Sequence, residues 1–161
     1  PYPFEHAMGY QWFSLTGITT ENRPSRVREA RAAFDETLQQ LMAQQGMADA
    51  WDKLILVGFS QGSIMALDAL ASGRYPLAGV VAFSGRLSFD GALTPQQHTP
   101  ALLIHGKVDG VIPYSETESA AQRLQEAGGT VEARDEVATG HTISSQGAMQ
   151  AATLIAQCLN D

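Results

Sequence analysis

Three residues of this 161-residue sequence have the types and order needed for nucleophilic acyl chemistry: Ser60, Asp109 and His141. Ser60 is the central residue of Gly-Phe-Ser-Gln-Gly at 58–62, which follows the apolar run 54–57. A Gly-x-Ser-x-Gly motif between a strand and a helix makes a sharp turn that exposes the serine. The glycines on either side avoid steric clashes in that turn. A serine hydroxyl becomes a good nucleophile only when a base removes its proton, so partners are required.

The acid and the base each follow a predicted strand. Asp109 comes four residues after His105, which ends the third predicted strand. His141 follows the fourth predicted strand, in a loop where Gly140 precedes it. Functional groups in open α/β sheets collect beyond the carboxyl ends of the strands. The order serine, acid, histidine is that of α/β hydrolases. We therefore predict Ser60 as nucleophile, His141 as general base and Asp109 as the carboxylate that orients the imidazole.

Other acids fit this role less well. Asp109 is followed by glycine, and Asp-Gly is also a common turn pair. Asp135 lies inside the fourth predicted strand, where its side chain is badly placed. Asp90 lies on the loop after the second strand, where some hydrolases keep their acid. We favour Asp109.

Three other histidines compete with His141. His6 lies in the N-terminal loop, and His98 lies in a polar loop before a strand. His105 ends a strand, and we expect it to make a structural hydrogen bond beneath the turn that carries the acid. His141 is therefore the predicted base.

The elements that must position these residues alternate between strand and helix. The predicted strands cover 53–57, 77–83, 101–105 and 130–137. The predicted helices begin at 25, 61, 115 and 144, and glycines follow the ends of the first three. Such alternation predicts a single α/β domain, with a mostly parallel sheet and helices on both of its faces.

Local signals refine these elements. The first three strands are short and apolar without alternation, as in buried parallel strands. Ser25 is predicted to cap the first helix, and Ser115 with Glu118 to form a capping box. An apolar stripe is predicted to bury one face of the last helix; it comprises Ala148, Ala151, Ala152, Ile155, Cys158 and Leu159.

Composition excludes several classes of protein. The net charge is −7 and no basic block occurs, so we expect no nucleic-acid partner. No apolar run approaches the roughly 20 residues that span a bilayer, so no stable membrane insertion is expected. Cys158 is the only cysteine, which rules out an intramolecular disulfide and fits a cytoplasmic protein. The histidines and acids lack metal-ligand spacing, so no metal or cofactor is predicted.

Five segments together resemble the phospholipase/carboxylesterase family, which includes acyl-protein thioesterases and small bacterial carboxylesterases. They are 10–15, 56–62, 77–85, 105–113 and 140–144. The resemblance implies a serine carboxylesterase acting on small to medium acyl esters, with a small-molecule ester or thioester as substrate. It also implies an acyl pocket near Gly85, Leu87, Val111 and Ile112. The backbone N–H of Gln61 is the predicted oxyanion donor.

One family segment has no counterpart in this sequence. The family carries a His-Gly-x-Gly segment upstream, which supplies a second oxyanion N–H group. We therefore expect residues 1–161 to be the C-terminal part of a longer domain that lacks its first strands here, and the strand at 54–57 to form an apolar sheet edge. Losing one oxyanion donor costs about 10²–10³ in rate. Two kinds of alternative therefore stay open. One is lysophospholipase or acyl-protein thioesterase activity, and the other is an inactive fragment or binding module. The sequence also leaves a homodimer open.

Overall fold

The central sheet of the protein has four parallel strands, arranged in the order in which they occur in the chain. The computed structural model describes residues 1–160. The strands are β3, Ile55–Phe59; β4, Gly79–Phe83; β5, Pro100–Gly106; and β6, Thr130–Glu136. The preceding β1, Tyr2–Pro3, and β2, Tyr10–Gln11, form a separate antiparallel pair. The parallel sheet confirms the α/β prediction.

Helices cover both faces of the sheet, as predicted. They are α1, Arg23–Gln44; α2, Gln61–Ser72; α3, Ser115–Glu126; and α4, Ser145–Asn160. Helices α2 and α3 pack on one face in a large apolar cluster that α1 extends, and α4 packs on the other face against β4 and β5. Because β4 is buried on both faces, its side chains alternate between these two clusters. None of the helices in residues 1–160 has the length and apolarity to cross a bilayer.

The strand β3 differs from the prediction of full burial. Leu56 is buried under α2, whereas Val57 on the opposite face is 54% exposed. The main contacts of helix α4 with the sheet are to β4 and β5, so Val57 on the α4 side of β3 is left largely exposed. β3 is also the end strand of the sheet in residues 1–160, which agrees with the expected edge. The strand begins two residues later than predicted because residues 51–53 form a short 3₁₀ turn.

Two predicted helix caps are wrong. Helix α1 begins before Ser25, with Asn22 at the N-cap and Pro24 in the first turn, and the Ser25 hydroxyl donates to the Asn22 carbonyl. Proline is favoured in a first helical turn because its missing N–H has no partner to lose there. Helix α3 begins at Ser115 itself, with Tyr114 at the N-cap and no side-chain cap.

The buried stripe of α4 is shifted from the predicted one. Gly147 and Ala151 are buried and Leu154 is half-buried, whereas Ala148 is exposed. A side chain at 147 would stand 3.2 Å from a Phe83 ring carbon, so the helix approaches the sheet closely at this glycine. The predicted stripe was centred one residue too far along, because apolar content alone does not reveal a close approach at glycine. Cys158, predicted to be buried, is half-buried.

Candidate active site

Ser60 occupies the sharp turn between β3 and α2. Its backbone has φ +52° and ψ −115°, a conformation that L residues rarely adopt, and its N–H donates to the Phe83 carbonyl at 3.0 Å. Gly58 is required because a Cβ there would stand 2.5 Å from the backbone of Gly62. Strained backbone of this kind costs on the order of 1–3 kcal/mol and persists only where its surroundings enforce it.

A serine that was not predicted to matter supports this turn from below. The Ser63 side chain is fully buried, and its Oγ lies 2.7 Å from the Gly58 carbonyl and 2.6 Å from the Phe83 carbonyl. Gly85 packs beneath it, since a Cβ at that position would stand 2.4 Å from the Ser63 Cβ. The available signal was a hydroxyl in the first turn of α2, directly before the apolar run 64–67.

Ser60, His141 and Asp109 form a continuous hydrogen-bonded chain. His141 Nε2 lies 3.0 Å from Ser60 Oγ, and His141 Nδ1 lies 2.8 Å from Asp109 Oδ2. Because a carboxylate can only accept, Nδ1 carries the hydrogen, and Nε2 is left to accept the serine proton. The Phe59 ring packs beside the imidazole, with ring centroids 4.8 Å apart. The structure thus brings together the three residues that the sequence singled out.

Asp109 is held by hydrogen bonds on both of its oxygens. Oδ1 accepts from the N–H groups of Val111 at 2.8 Å and Ile112 at 2.9 Å, and the side chain is inaccessible to solvent. Burial by itself raises the pKa of Asp109, but the bonds from His141, Ile112 and Val111 outweigh it and hold this pKa below its ordinary value. The carboxylate therefore stays ionised and fixed in orientation.

His105 lies beneath the turn that carries Asp109, as predicted. Its Nε2 donates to the Ile112 carbonyl at 2.8 Å and lies 3.2 Å from Asp109 Oδ2, while its Nδ1 lies 2.7 Å from the Thr117 hydroxyl. The ring is almost completely buried. His105 therefore links β5, α3 and the acid's turn, and it approaches the same carboxylate oxygen as His141.

We expect the substitution His105→Phe to lower the free energy of unfolding by about 2–4 kcal/mol, because it leaves two buried polar groups without their partner. These groups are the Thr117 hydroxyl and the Ile112 carbonyl. Urea unfolding measures the change. The matched control is His98→Phe at an exposed position, which should change stability by no more than about 0.5 kcal/mol. Equal effects of the two substitutions would contradict a structural role for His105.

A cavity of about 290 Å³ opens beside Ser60. Its apolar lining consists of Phe4, Tyr10, Trp12, Leu15 and Phe59, and Gln11, Gln61 and Gly62 also border it. Trp12 packs edge-to-face on Phe34 of α1, with ring centroids 5.0 Å apart. The N-terminal segment thus forms an aromatic wall next to the serine.

The residues predicted to line an acyl pocket do not border this cavity. Gly85 lies beneath the serine turn, and Leu87 belongs to the apolar core. Ile112 is buried, whereas Val111 is exposed, and both contact Asp109 through their backbone N–H groups. Only Val111 and Ile112 of these four residues are close to the acid in sequence, and the wall beside Ser60 comes from residues 4–15.

Gln61 is the first residue of α2, directly after Ser60. The first N–H groups of a helix have no intrahelical carbonyl partner and lie at the positive end of the helix dipole. The Gln61 N–H is therefore suited to bind an oxygen that gains negative charge next to the serine.

Known proteins resemble this chain in sequence and in fold. The phospholipase/carboxylesterase family model matches residues 1–159. Esterase YpfH of Escherichia coli is 35% identical over 147 residues, which cover 89% of this chain and 61% of that protein. A probable carboxylesterase of Oryza sativa, Os04g0669600, is 26% identical over 138 residues, which cover 82% of this chain and 59% of that protein.

A solved structure extends the comparison to three dimensions. The crystal structure of esterase PE8 is 32% identical and superposes with a TM-score of 0.78, covering 93% of this chain and 71% of that chain. The present chain spans about three fifths of the length of the two curated relatives that it matches.

Proposed function

The chain belongs to the phospholipase/carboxylesterase family, and on this basis we propose that the protein is a serine hydrolase that cleaves carboxylic esters of small to medium acyl chains. The observation that carries the proposal is the unbroken chain of hydrogen bonds from Ser60 through His141 to Asp109. Esterase YpfH and esterase PE8, which resemble this chain, are named as esterases.

Acylation is the first half of the proposed reaction. Ser60 Oγ attacks the acyl carbonyl while His141 Nε2 takes the serine proton, and the carbonyl oxygen becomes an oxyanion next to the Gln61 N–H. The tetrahedral intermediate collapses when His141 returns that proton to the leaving alkoxide, which departs as the alcohol. Asp109 holds the Nδ1–H and stabilises the imidazolium that forms in between.

Deacylation reverses these roles with water. His141 takes a proton from water as it attacks the ester of Ser60, and a second tetrahedral intermediate forms. When it collapses, Ser60 leaves, recovers the proton from His141, and the carboxylic acid is released. The products are one alcohol and one acid for each water consumed, and the enzyme returns to its starting state.

The cavity supports a preference for small to medium acyl groups. Its volume of about 290 Å³ is at the lower limit of common ligand pockets. Its apolar aromatic lining favours an unsubstituted acyl chain over a charged one. An ester and the corresponding thioester place the same acyl group here, so both belong in the substrate test.

The test combines a fluorophosphonate probe with a panel of p-nitrophenyl esters and matched thioesters from two to twelve carbons. We expect covalent labelling at Ser60 and the highest kcat/KM with short and medium acyl esters. Thioesters that turn over faster than their matched esters would assign a thioesterase. A folded protein that takes up no probe and hydrolyses no ester would overturn the proposal in favour of a non-catalytic binding module.

A further inference from the structure

The side chain of Gln61 makes two hydrogen bonds to a distant segment of the chain. Its Oε1 accepts from the Trp12 N–H at 2.6 Å, and its Nε2 donates to the Phe13 carbonyl at 3.0 Å. One primary amide thus pairs with the N–H of one residue and the carbonyl of the next, at a bend of the backbone. Although 49 residues separate Gln61 from Trp12 in the sequence, the two are fixed to each other in the fold.

The segment that Gln61 holds forms the wall of the cavity beside Ser60. Trp12 lines that cavity, whereas Phe13 points into the apolar core and is 3% exposed. The apolar core therefore anchors Phe13, and the Gln61 side chain sets the distance between the Trp12 backbone and the start of α2. Trp12 also packs on Phe34, which fixes its ring against α1.

We propose that Gln61 is, through its side chain, a positioning residue. It holds the aromatic wall at Trp12 at a fixed distance from the Gln61 N–H that receives the oxyanion. This inference rests on the proposed esterase activity. A single residue carries both the oxyanion donor and the anchor of the acyl-binding wall. An acyl chain that packs against Trp12 is then held with its carbonyl oxygen at the Gln61 N–H. Such orientation lowers the activation barrier, because the entropy of orienting the substrate is lost on binding rather than in the transition state.

The pairing explains why a glutamine is needed. Trp12 offers a donor and Phe13 an acceptor, so the side chain must supply one acceptor and one donor at the same reach. Glutamate has the same length but places a second acceptor against the Phe13 carbonyl. Methionine has a similar length and makes neither bond. Both variants keep the backbone N–H of residue 61, so they separate the side chain from the oxyanion donor.

The experiment measures kcat and KM of the complete protein and its variants with p-nitrophenyl acetate and p-nitrophenyl hexanoate. For Gln61→Met we expect kcat/KM with hexanoate to fall about 10- to 100-fold more than that with acetate. The acetyl group is too short to use the wall. Gln61→Glu should show the same direction of change. The control is Gln39→Met on the exposed face of α1, with unchanged values for both esters.

Fluorophosphonate labelling separates this inference from the proposed function. Wild-type protein that does not label overturns the esterase assignment, and the inference falls with it. If wild type and both variants label at Ser60 but the variants hydrolyse hexanoate as well as wild type, the inference alone is wrong. Equal losses with acetate and hexanoate would also overturn it, because they would place the effect in the serine turn itself. Thermal unfolding identifies a variant that does not fold, and the other variant then decides.

Discussion

Replacing Ser60 with alanine will lower kcat for ester hydrolysis by about 10⁶-fold, the loss typical of a triad that has lost its nucleophile. The Ser60 hydroxyl contacts His141 and makes no helix-capping hydrogen bond. Its removal should therefore leave the fold unchanged. Steady-state kinetics with the best ester of the panel, together with circular dichroism and thermal unfolding, measure both effects. Hydrolysis at the wild-type rate by folded Ser60→Ala protein would refute the nucleophile assignment.

A second variant at the same position tests the backbone of the turn. Residue 60 has a positive φ, which glycine adopts without strain. Ser60→Gly should be as inactive as Ser60→Ala, yet more stable than it by about 1 kcal/mol, after the extra unfolded-state entropy of glycine is subtracted from the relieved strain. A Ser60→Gly variant less stable than Ser60→Ala would show that the turn is not strained at this residue.

The turn around Ser60 shows which parts of the fold were predictable from sequence. Its glycines act through local sterics, so the motif placed the start of α2 correctly, although β3 runs two residues further than predicted, to Phe59. Helix α2 has the predicted bounds, and Gly73 ends it with φ +59°. Where a residue's own backbone preference decides the structure, a single sequence is sufficient to predict it.

The errors concern features that depend on tertiary contacts. Serine is a favoured N-cap residue, which is why Ser25 and Ser115 are predicted as caps. The helices instead have Asn22 and Tyr114 at the N-cap, and Pro24 occupies the first turn of α1. The apolar content of β3 predicted burial, but exposure depends on which helix covers which strand. The stripe of α4 depends on the close approach at Gly147. Local propensity is a weak guide where packing decides between alternatives.

The candidate site divides in the same way. The triad was predictable because parallel strands bring the loops after β5 and β6 to one edge of the sheet. His105 was predictable for the same reason, since it lies at the C-terminal end of β5, next to Gly106 and below Asp109. The aromatic wall was not, because residues 4–15 contain only one strand, the two-residue β2, which is too short to carry a pattern. Its link to Gln61 spans 49 positions, a contact that no local signal reports.

Replacing His141 with alanine should also lower kcat by about 10⁶-fold, because Ser60 then has no base within reach. The double variant Ser60→Ala/His141→Ala should be no slower than either single variant, since the residues of a triad act as a unit and their losses do not add. The same ester assay measures all three variants, and His98→Ala is the control at an exposed position.

Non-additivity distinguishes a triad from two independently useful residues. If Ser60 and His141 contributed separately, their losses would multiply, and the double variant would be slower than the slower single variant by a factor equal to the smaller loss. A double variant whose loss in kcat equals the product of the two single losses would therefore contradict a triad in which Ser60 and His141 act as a unit. His105 cannot replace the missing base, because its Nε2 is committed to Ile112 and Asp109 and its ring is buried beneath the acid. Residual activity in His141→Ala must then come from the oxyanion donor and substrate binding alone.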